Sequence, residues 1–239
     1  MNPARALARR DLIDTASAPY RAAGRFAYHF ARGKLRADPV FEAILSRGLL
    51  AHRERILDLG CGQGLLAAWL LAAQGVCRPG RWPEAWPDPP RPVAVRGIER
   101  VGRYVARARL ALGSRADFVE DDVRSADFGH ADGVVILDVL QYIEYADQRG
   151  ILERVHESLS RGGVLLLRIG DAGAGMGFMF AKWVDRAVSL AGGRGISPLH
   201  CRPAAQWCGL LAAIGFDSES IPMSAGTPFA NVLIVARRR

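Results

Sequence analysis

A turn with three alternate glycines is the feature that most constrains the fold of this chain. Gly60, Gly62 and Gly64 directly follow the short apolar run 55–59 and precede the apolar run 65–73. Glycine lets a backbone approach a ligand without a side-chain collision, and the amides at a helix N-terminus point toward that ligand. A strand, a glycine turn and a helix in this order indicate a nucleotide-like cofactor at the turn.

From about residue 53 onward, short apolar runs alternate with longer helical patterns, which predicts a wound α/β sheet. The predicted strands are 55–59, 93–98, 116–119, 133–137, 164–168, 216–222 and 231–237. The predicted helices are 65–73, a segment through 104–112, 147–159 and 203–214. Because the last two strands have a short, turn-rich connection, they can form an antiparallel hairpin. We therefore expect a Rossmann-like, seven-stranded, mostly parallel sheet with an antiparallel C-terminal hairpin.

The glycine turn matches the dinucleotide fingerprint poorly. GxGxxG would require a glycine at position 65, where this chain has Leu65. Asp58 stands two residues before the first glycine, and a carboxylate repels a pyrophosphate but attracts a cation. These residues favour a cationic cofactor over NAD.

The stretch 58–64 resembles the first motif, (D/E)xGxGxG, of the class I S-adenosylmethionine-dependent methyltransferases, and the resemblance covers residues 53–239 strand by strand. It implies S-adenosyl-L-methionine as the cofactor and a glycine turn that contacts its methionine part. The residues it assigns to this contact are Asp58, Gly60, Cys61, Gly62 and Gly64.

Three further acidic residues stand where that family holds the rest of the cofactor. The resemblance implies that Glu99 binds the ribose hydroxyls of the cofactor and that Asp122 accepts from its adenine amino group. It also implies that Asp138 lies beside the methyl group. A carboxylate can accept from vicinal hydroxyls or from an amine. Acidic strand ends gathered at the carboxyl edge of a sheet also suit a sulfonium.

Two segments depart from the minimal family pattern. Glu99 lies about 40 residues after the glycine turn rather than ~20, and the Pro-rich insertion 79–92 accounts for the excess. Its six prolines exclude a helix or a central strand, while Trp82 and Trp86 either fold back onto the domain or offer a partner surface. Residues 1–52 form a helical extension that either packs against the sheet or closes as a lid over a ligand.

The segment after the fourth predicted strand bears on the acceptor. Family members that methylate amino groups of nucleic acids carry (N/D)PP(Y/F) there and cytosine C5 enzymes a Pro-Cys, whereas this chain has Asp138-Val-Leu-Gln-Tyr142. A small-molecule or carrier-bound acceptor is therefore favoured over nucleic acid. Tyr145, Arg168 and Asp171 add mixed surface after strands four and five, which suits an aryl or acyl acceptor.

His200 and Tyr142 are the candidate catalytic bases. His200 precedes a predicted helix where many small-molecule members of the family place acceptor contacts, and an imidazole suits the removal of a hydroxyl or phenol proton. A structural histidine is the alternative. Alignment without any base is another, because a sulfonium methyl is already activated.

Segments 137–142, 167–171 and 226–230 further resemble small methyltransferases of bacterial aryl-polyene and related pigment clusters. This resemblance implies methylation of a phenolic head group in secondary metabolism, with the acceptor tethered to an acidic acyl carrier protein as one form. Two other functions stay open from the sequence: an RNA methyltransferase and a non-catalytic scaffold with the same fold.

Charge and cysteine content limit the classes of partner and ligand that we expect for this chain. The formal net charge is +8, but Lys34 and Lys182 are the only lysines among 32 basic residues, and scattered arginines indicate coding bias rather than a nucleic-acid patch. The four cysteines form no CxxC pair and no histidine has metal-ligand spacing, so no metal site is indicated. No apolar run approaches the ~20 residues of a membrane span, and we expect a cytoplasmic protein.

Overall fold

A seven-stranded sheet forms the centre of the computed structural model, which describes residues 3–92, 94–170, 199–224 and 231–239. The strand order is β3-β2-β1-β4-β5-β7-β6, and β7 runs antiparallel to both β5 and β6. The strands are β1 Arg55–Leu59, β2 Ala94–Glu99, β3 Asp117–Glu120, β4 Ala131–Leu137, β5 Leu159–Gly170, β6 Phe216–Pro222 and β7 Asn231–Arg238. The Rossmann-like fold with its C-terminal hairpin is confirmed.

Seven α-helices are described around the sheet. They are α1 Pro3–Ser17, α2 Arg25–Ala37, α3 Pro39–Ser46, α4 Leu65–Val76, α5 Gly102–Leu112, α6 Tyr145–Ser158 and α7 Ala204–Ile214. Successive strand residues point to opposite faces, so Val164 and Leu166 pack with α1–α5 while Leu165 and Leu167 pack with α6 and α7. The result is two hydrophobic cores, one on each face of the sheet.

The N-terminal helices are part of the first core. Leu12, Tyr20 and Ile44 are fully buried and belong to the same cluster as the residues of α4. The indole nitrogen of Trp69 on α4 donates to the carbonyl of Phe41 on α3 at 2.7 Å. The structure thus shows the packing expected as one alternative for residues 1–52, and closure over a ligand stays a prediction.

The Pro-rich insertion folds back onto these helices. Trp86 is buried, and the indole nitrogen of Trp82 donates to the carbonyl of Pro87 at 3.0 Å. A Cβ added at Gly48 would lie 2.8 Å from Cγ of Pro87, so the insertion lies directly against the segment that follows α3. Of the two alternatives for Trp82 and Trp86, folding back is the one observed.

β5 is longer than the predicted strand 164–168. The chain leaves α6 after Ser158 and continues in extended conformation, with Leu159 paired to Ala131 and a register shift before Gly133 pairs with Val164. The residues between the predicted helix 147–159 and the predicted strand 164–168 are therefore part of an irregular strand. Within the part of the chain described, no helix is long and apolar enough to span a bilayer.

Candidate active site

The three glycines of the turn between β1 and α4 have different tasks. All have positive φ, 73° at Gly60, 55° at Gly62 and 74° at Gly64, which disfavours any residue with a Cβ. At Gly60 an added Cβ would also collide with Val139, and at Gly64 it would lie 2.6 Å from the ring of Phe118. At Gly62 it would meet nothing within 4 Å. Only Gly62 faces open space in which a ligand could approach the backbone.

Glu99 closes the turn from the end of β2. Its carboxylate accepts from the amide of Gly62 at 3.0 Å and from the amide of Val101 at 2.8 Å. The carbonyl of Ile98 accepts from the amides of Gly60 and Cys61. Because a carboxylate has about four lone-pair positions, Glu99 can still accept from two hydroxyls of a ligand.

Asp58 is buried at the end of β1, next to Glu99. Burial, together with the nearby charge of Glu99, raises the pKa of Asp58 from its ordinary value of 3.8 to about 7. No described arginine or lysine contributes to that pKa. The two carboxyl groups therefore form an acidic pair without a protein cation, which we call the open pair.

Cys61 lies inside the turn and points toward β2. Burial, followed by the charges of Asp58 and Glu99, raises the pKa of its thiol well above the ordinary value. A Cβ added at Gly97 would lie 2.6 Å from the Cys61 sulfur. The thiol is thus protonated and packed against β2, and its predicted contact with the cofactor stays a prediction.

Asp122 lies after β3 and is held by its neighbour Arg124. The Arg124 side chain donates to both carboxylate oxygens of Asp122, at 3.0 and 2.7 Å, and its amide donates at 2.9 Å. The hydrogen bond from Arg124 lowers the pKa of Asp122 to about 2. The carboxylate is ionised and partly exposed, which is compatible with the predicted contact to an amino group.

Asp138, at the end of β4, has an unusual backbone and two basic neighbours. Its φ of 60° is in the left-handed region, where a residue with a Cβ is strained. Arg168 on β5 binds both of its carboxylate oxygens, one of them from Nε at 2.8 Å, and the Lys34 ammonium lies 4.0 Å away.

Arg168 also binds Asp38, and this corrects a prediction. Its Nη1 lies 2.5 Å from Oδ1 of Asp38, whose other oxygen pairs with Lys34 at 2.9 Å. With 2% of its side chain exposed, Arg168 cannot be the acceptor-facing surface residue that the sequence suggested. Asp171, predicted beside it, lies outside the described residues. We call Asp38 and Asp138, with their two cations, the compensated pair.

His200 and Tyr142 lie on adjacent segments on the acceptor side. The amide of His200 donates to the carbonyl of Gln141 at 2.8 Å, and its carbonyl accepts from the Gln148 side chain at 2.8 Å. The imidazole meets the ring of Tyr145 edge-on at 5.1 Å between centroids. The structure thus brings the two candidate bases to the same region, just after the end of β4.

Three residues that organise the site, Gln148, Arg202 and Tyr20, were not predicted from the sequence. Gln148 is fully buried on α6 and its amide donates to three carbonyls, those of Leu140, Ile143 and His200. Its oxygen accepts from Arg202 at 2.8 Å. The hydroxyl of Tyr20 donates to the carbonyl of Gln63 at 2.7 Å and so ties the N-terminal region to the glycine turn.

Comparison with known proteins agrees with this geometry. Residues 57–165 match the model of a family described as Methyltransferase domain, a range that runs from β1 into β5 and contains the glycine turn and all four acidic strand-end residues. Just under half of this chain therefore matches a methyltransferase family.

This chain is similar to carboxy-S-adenosyl-L-methionine synthases among curated proteins. The enzyme of Chromohalobacter salexigens is 33% identical over 143 residues, covering 55% of this chain and 48% of the relative. That of Aliivibrio salmonicida is 30% identical over 143 residues, covering 55% of this chain and 53% of the relative. The chain spans about half the length of these relatives.

Solved structures share the fold of this chain at low sequence identity. Magnesium protoporphyrin IX methyltransferase from Synechocystis PCC 6803, solved with bound SAH, has a TM-score of 0.59 at 19% identity and covers 90% of this chain and 88% of its own. The pyocyanin biosynthetic protein PhzM has a TM-score of 0.61 at 19% identity, with 92% of this chain and 60% of its own covered.

The residues of this chain fit S-adenosyl-L-methionine, the cofactor of the family that its residues 57–165 resemble. Asp58 of the open pair is buried, and the half-buried Glu99 accepts from the amide of Gly62, the one glycine of the turn that faces unfilled space. An uncompensated buried carboxyl favours a cation beside it, and the cofactor carries both a sulfonium and an ammonium. Asp58 and Glu99 would hold it, with Asp122 available for the adenine amino group.

Proposed function

We propose that this chain transfers the methyl group of S-adenosyl-L-methionine to a small-molecule acceptor. The observation that carries the proposal is the open pair, two neighbouring carboxyl groups at the carboxyl edge of β1 and β2, where no arginine or lysine of the described residues contributes to the pKa of Asp58. A site for a pyrophosphate would need positive charge or free amides at this position, whereas here a buried acid meets the ligand.

Each side of the site has a defined task in this proposal. When bound, the cofactor supplies an activated methyl group on a sulfonium. Asp58 and Glu99 would hold it at the glycine turn. His200 and Tyr142, on the acceptor side, orient the acceptor and take its proton where a hydroxyl or phenol reacts. Alignment of the two reactants supplies much of the rate.

Calorimetric titration of the chain with S-adenosylmethionine, its demethylated product and NAD tests the cofactor. We expect both sulfur compounds to bind and NAD not to bind. Since a cation prefers ionised Asp58, which has a pKa of about 7, affinity for S-adenosylmethionine should rise with pH up to that value. Tighter binding of NAD than of either sulfur compound would refute the proposal.

We further propose a phenolic, aryl or acyl acceptor, presented free or on an acidic carrier protein. Two features support this class: the pigment-cluster resemblance of segment 137–142, and the aromatic side chains of Tyr142 and Tyr145, both at least 40% exposed after β4. The excess of arginine suits an acidic carrier. Mass spectrometry of small phenols and acyl-carrier conjugates incubated with enzyme and cofactor tests it, and methylation of RNA alone would contradict it.

Synthesis of carboxy-S-adenosyl-L-methionine is a second candidate, because the curated relatives described above carry that name. The two reactions leave different products from the same cofactor. Methyl transfer leaves the demethylated sulfur compound, whereas the second reaction leaves the cofactor heavier by a carboxyl group. Mass analysis of the cofactor after turnover with a metabolite extract separates the two.

The role of His200 is tested by His200→Ala. A general base contributes roughly 10²–10⁴ to the rate, so we expect single-turnover transfer to fall about 100-fold or more with cofactor affinity unchanged. A structural histidine would instead lower the melting temperature and leave the rate per folded molecule nearly constant. A loss below about threefold would leave Tyr142, or alignment alone, as the better account.

A further inference from the structure

Arg168 is the only buried basic side chain among the residues that the structure describes. It lies near the end of β5, between β4 and β7, where every neighbouring strand residue is apolar. A buried guanidinium is tolerated only where opposite charges surround it closely. The carboxylates of the compensated pair, Asp38 and Asp138, provide this charge from two different parts of the chain.

The contacts of Arg168 with Asp138 fix both the side chain and the backbone of Asp138. The guanidinium forms a two-pronged contact with the carboxylate, and the carbonyl of Arg168 accepts from the amide of Asp138 at 3.3 Å. Asp138 is held at a φ of 60°, a conformation that persists only when its surroundings enforce it. The direction in which the segment 139–142 leaves β4 therefore depends on Arg168.

Asp38 completes this arrangement from the N-terminal region. One of its oxygens meets Arg168 at 2.5 Å and also accepts from the amide of Val40 at 3.1 Å, which caps α3. Burial would raise the pKa of Asp38, but Arg168 and Lys34 outweigh this effect and hold the pKa at about 2. The carboxylate of Asp38 is thus ionised at neutral pH.

We infer that Asp38 is a positioning residue, which acts through Arg168 to orient Asp138 and the segment that carries Tyr142. Asp38 shares the positive charge of Arg168 and fixes the plane of the guanidinium, so that Nε and Nη2 face Asp138. Residues 25–46 thereby set the geometry of the acceptor side from a distance of 100 residues in sequence. The orienting role of Asp38 does not depend on the proposed function, whereas its effect on methyl transfer rests on that function.

Hydrogen exchange on the full chain without ligand tests the inference in Asp38→Asn. Asparagine has the same shape and can still cap α3, so the substitution removes mainly the charge. We expect peptides within 138–143 to exchange about tenfold faster or more, because their local opening becomes easier. The matched control is Asp14→Asn, which removes a carboxylate from an exposed ion pair with Arg32 on the same N-terminal helices and should leave these peptides unchanged.

Arg168→Lys keeps the charge but loses the planar fork, and it should accelerate exchange in the same peptides. Faster exchange in Asp38→Asn that is confined to residues 25–46 would overturn the inference, since Asp38 would then only hold its own helices. If Asp38→Asn does not fold, Asp38→Glu takes its place, and unchanged exchange at 138–143 in that variant would likewise overturn it.

Titration of Asp38→Asn with the demethylated cofactor separates this inference from the proposed function. We expect a dissociation constant within about threefold of the parent value, because the substitution leaves both carboxyl groups of the open pair in place. Failure of the unmutated chain to bind would refute the proposed function but leave the exchange comparison readable. A loss much greater than threefold in the variant, matched by unchanged exchange at 138–143, would overturn the positioning role.

Discussion

Two pairs of carboxyl groups at the same edge of the sheet have opposite electrostatic situations. In the open pair, no described arginine or lysine contributes to the pKa of Asp58, which rises to about 7 because of burial and the charge of Glu99. In the compensated pair, Asp38 and Asp138 share Arg168 and Lys34, and the pKa of Asp38 falls to about 2. Burial alone would raise both pKa values; the cations decide the outcome.

The difference indicates which side of the site receives a charged ligand. The carboxyl group of Asp58 in the open pair is buried, and no described arginine or lysine offsets its negative charge. Ionising this group is therefore unfavourable until a cation binds beside it. The compensated pair has two negative and two positive groups, so it gains little from a further cation and instead joins β4, β5 and the N-terminal helices. We therefore propose that the same residue type binds a ligand at one position, whereas it organises the fold at the other.

Removing the cation of the compensated pair should give the largest effect on stability. Arg168→Met leaves the buried carboxylate of Asp38 and the half-buried carboxylate of Asp138 without the guanidinium, and breaking a buried pair in this way costs about 3–5 kcal/mol of unfolding free energy. Chemical denaturation measures it. Arg32→Met, at an exposed ion pair with Asp14, is the control and should change stability little. Equal effects of the two variants would contradict the comparison.

Removing the Asp58 carboxylate of the open pair should raise the free energy of unfolding at high pH, whereas Arg168→Met lowers it. Below about pH 4 folded and unfolded chains both hold the Asp58 proton; as pH rises through about 7 the folded state loses the stability that this raised pKa provided. The difference between the ordinary pKa of 3.8 and the pKa of about 7 corresponds to roughly 4 kcal/mol of unfolding free energy. Asp58→Asn lacks this loss, so we expect it to be the more stable protein at pH 8.

Denaturant titrations of the Asp58→Asn variant and its parent at pH 4.5 and pH 8 check this expectation. The difference in unfolding free energy should be small at the lower pH and favour the variant at the higher one. A variant that is less stable than the parent at both pH values would show that Asp58 has a favourable partner after all.

The fold was predictable because its signals are local. β1 and β6 have the predicted bounds, 55–59 and 216–222, since each apolar or alternating run ends at a charge, a glycine or a proline. The open pair was predictable for the same reason, because Asp58 and Glu99 stand at the ends of recognisable strands. The spacing of the glycines indicated the turn, although not that only Gly62 faces open space.

The compensated pair was not predictable, because its members are far apart in sequence. Asp38 and Arg168 are 130 positions apart, and neither belongs to a motif. A weaker signal was present: Arg168 continues a strand of four apolar residues that is buried on both faces. Gln148 gave a similar signal, since it has helical spacing with the buried residues Ile151, Leu152 and Val155. A polar residue on an apolar face needs a buried partner.

Glu99 should have the next largest effect, on cofactor affinity. Glu99→Ala removes a charged acceptor for ribose hydroxyls, worth about 1.5–3 kcal/mol, and also the contacts that close the glycine turn. Glu99→Gln keeps an acceptor and should lose less. Glu120→Ala is the control, because Glu120 is the register partner of Glu99 on β3. Calorimetry with the demethylated cofactor measures all three, and an unchanged dissociation constant in Glu99→Ala would remove Glu99 from the site.

Asp122 should have the smallest effect, since it combines features of both pairs. Like the compensated pair it has its own cation, Arg124, and a pKa of about 2, yet it is predicted to meet the cofactor as the open pair does. One hydrogen bond to an amino group is worth about 0.5–1.5 kcal/mol, so Asp122→Ala should weaken the cofactor by roughly 2- to 12-fold. Asp122→Asn retains an acceptor and should lose less than the alanine variant. Asp127→Ala removes an exposed acid of the same loop and should change nothing. An affinity in Asp122→Ala equal to that in Asp127→Ala would assign Asp122 to the local turn with Arg124, and the cofactor contacts would then be limited to the open pair and the glycine turn.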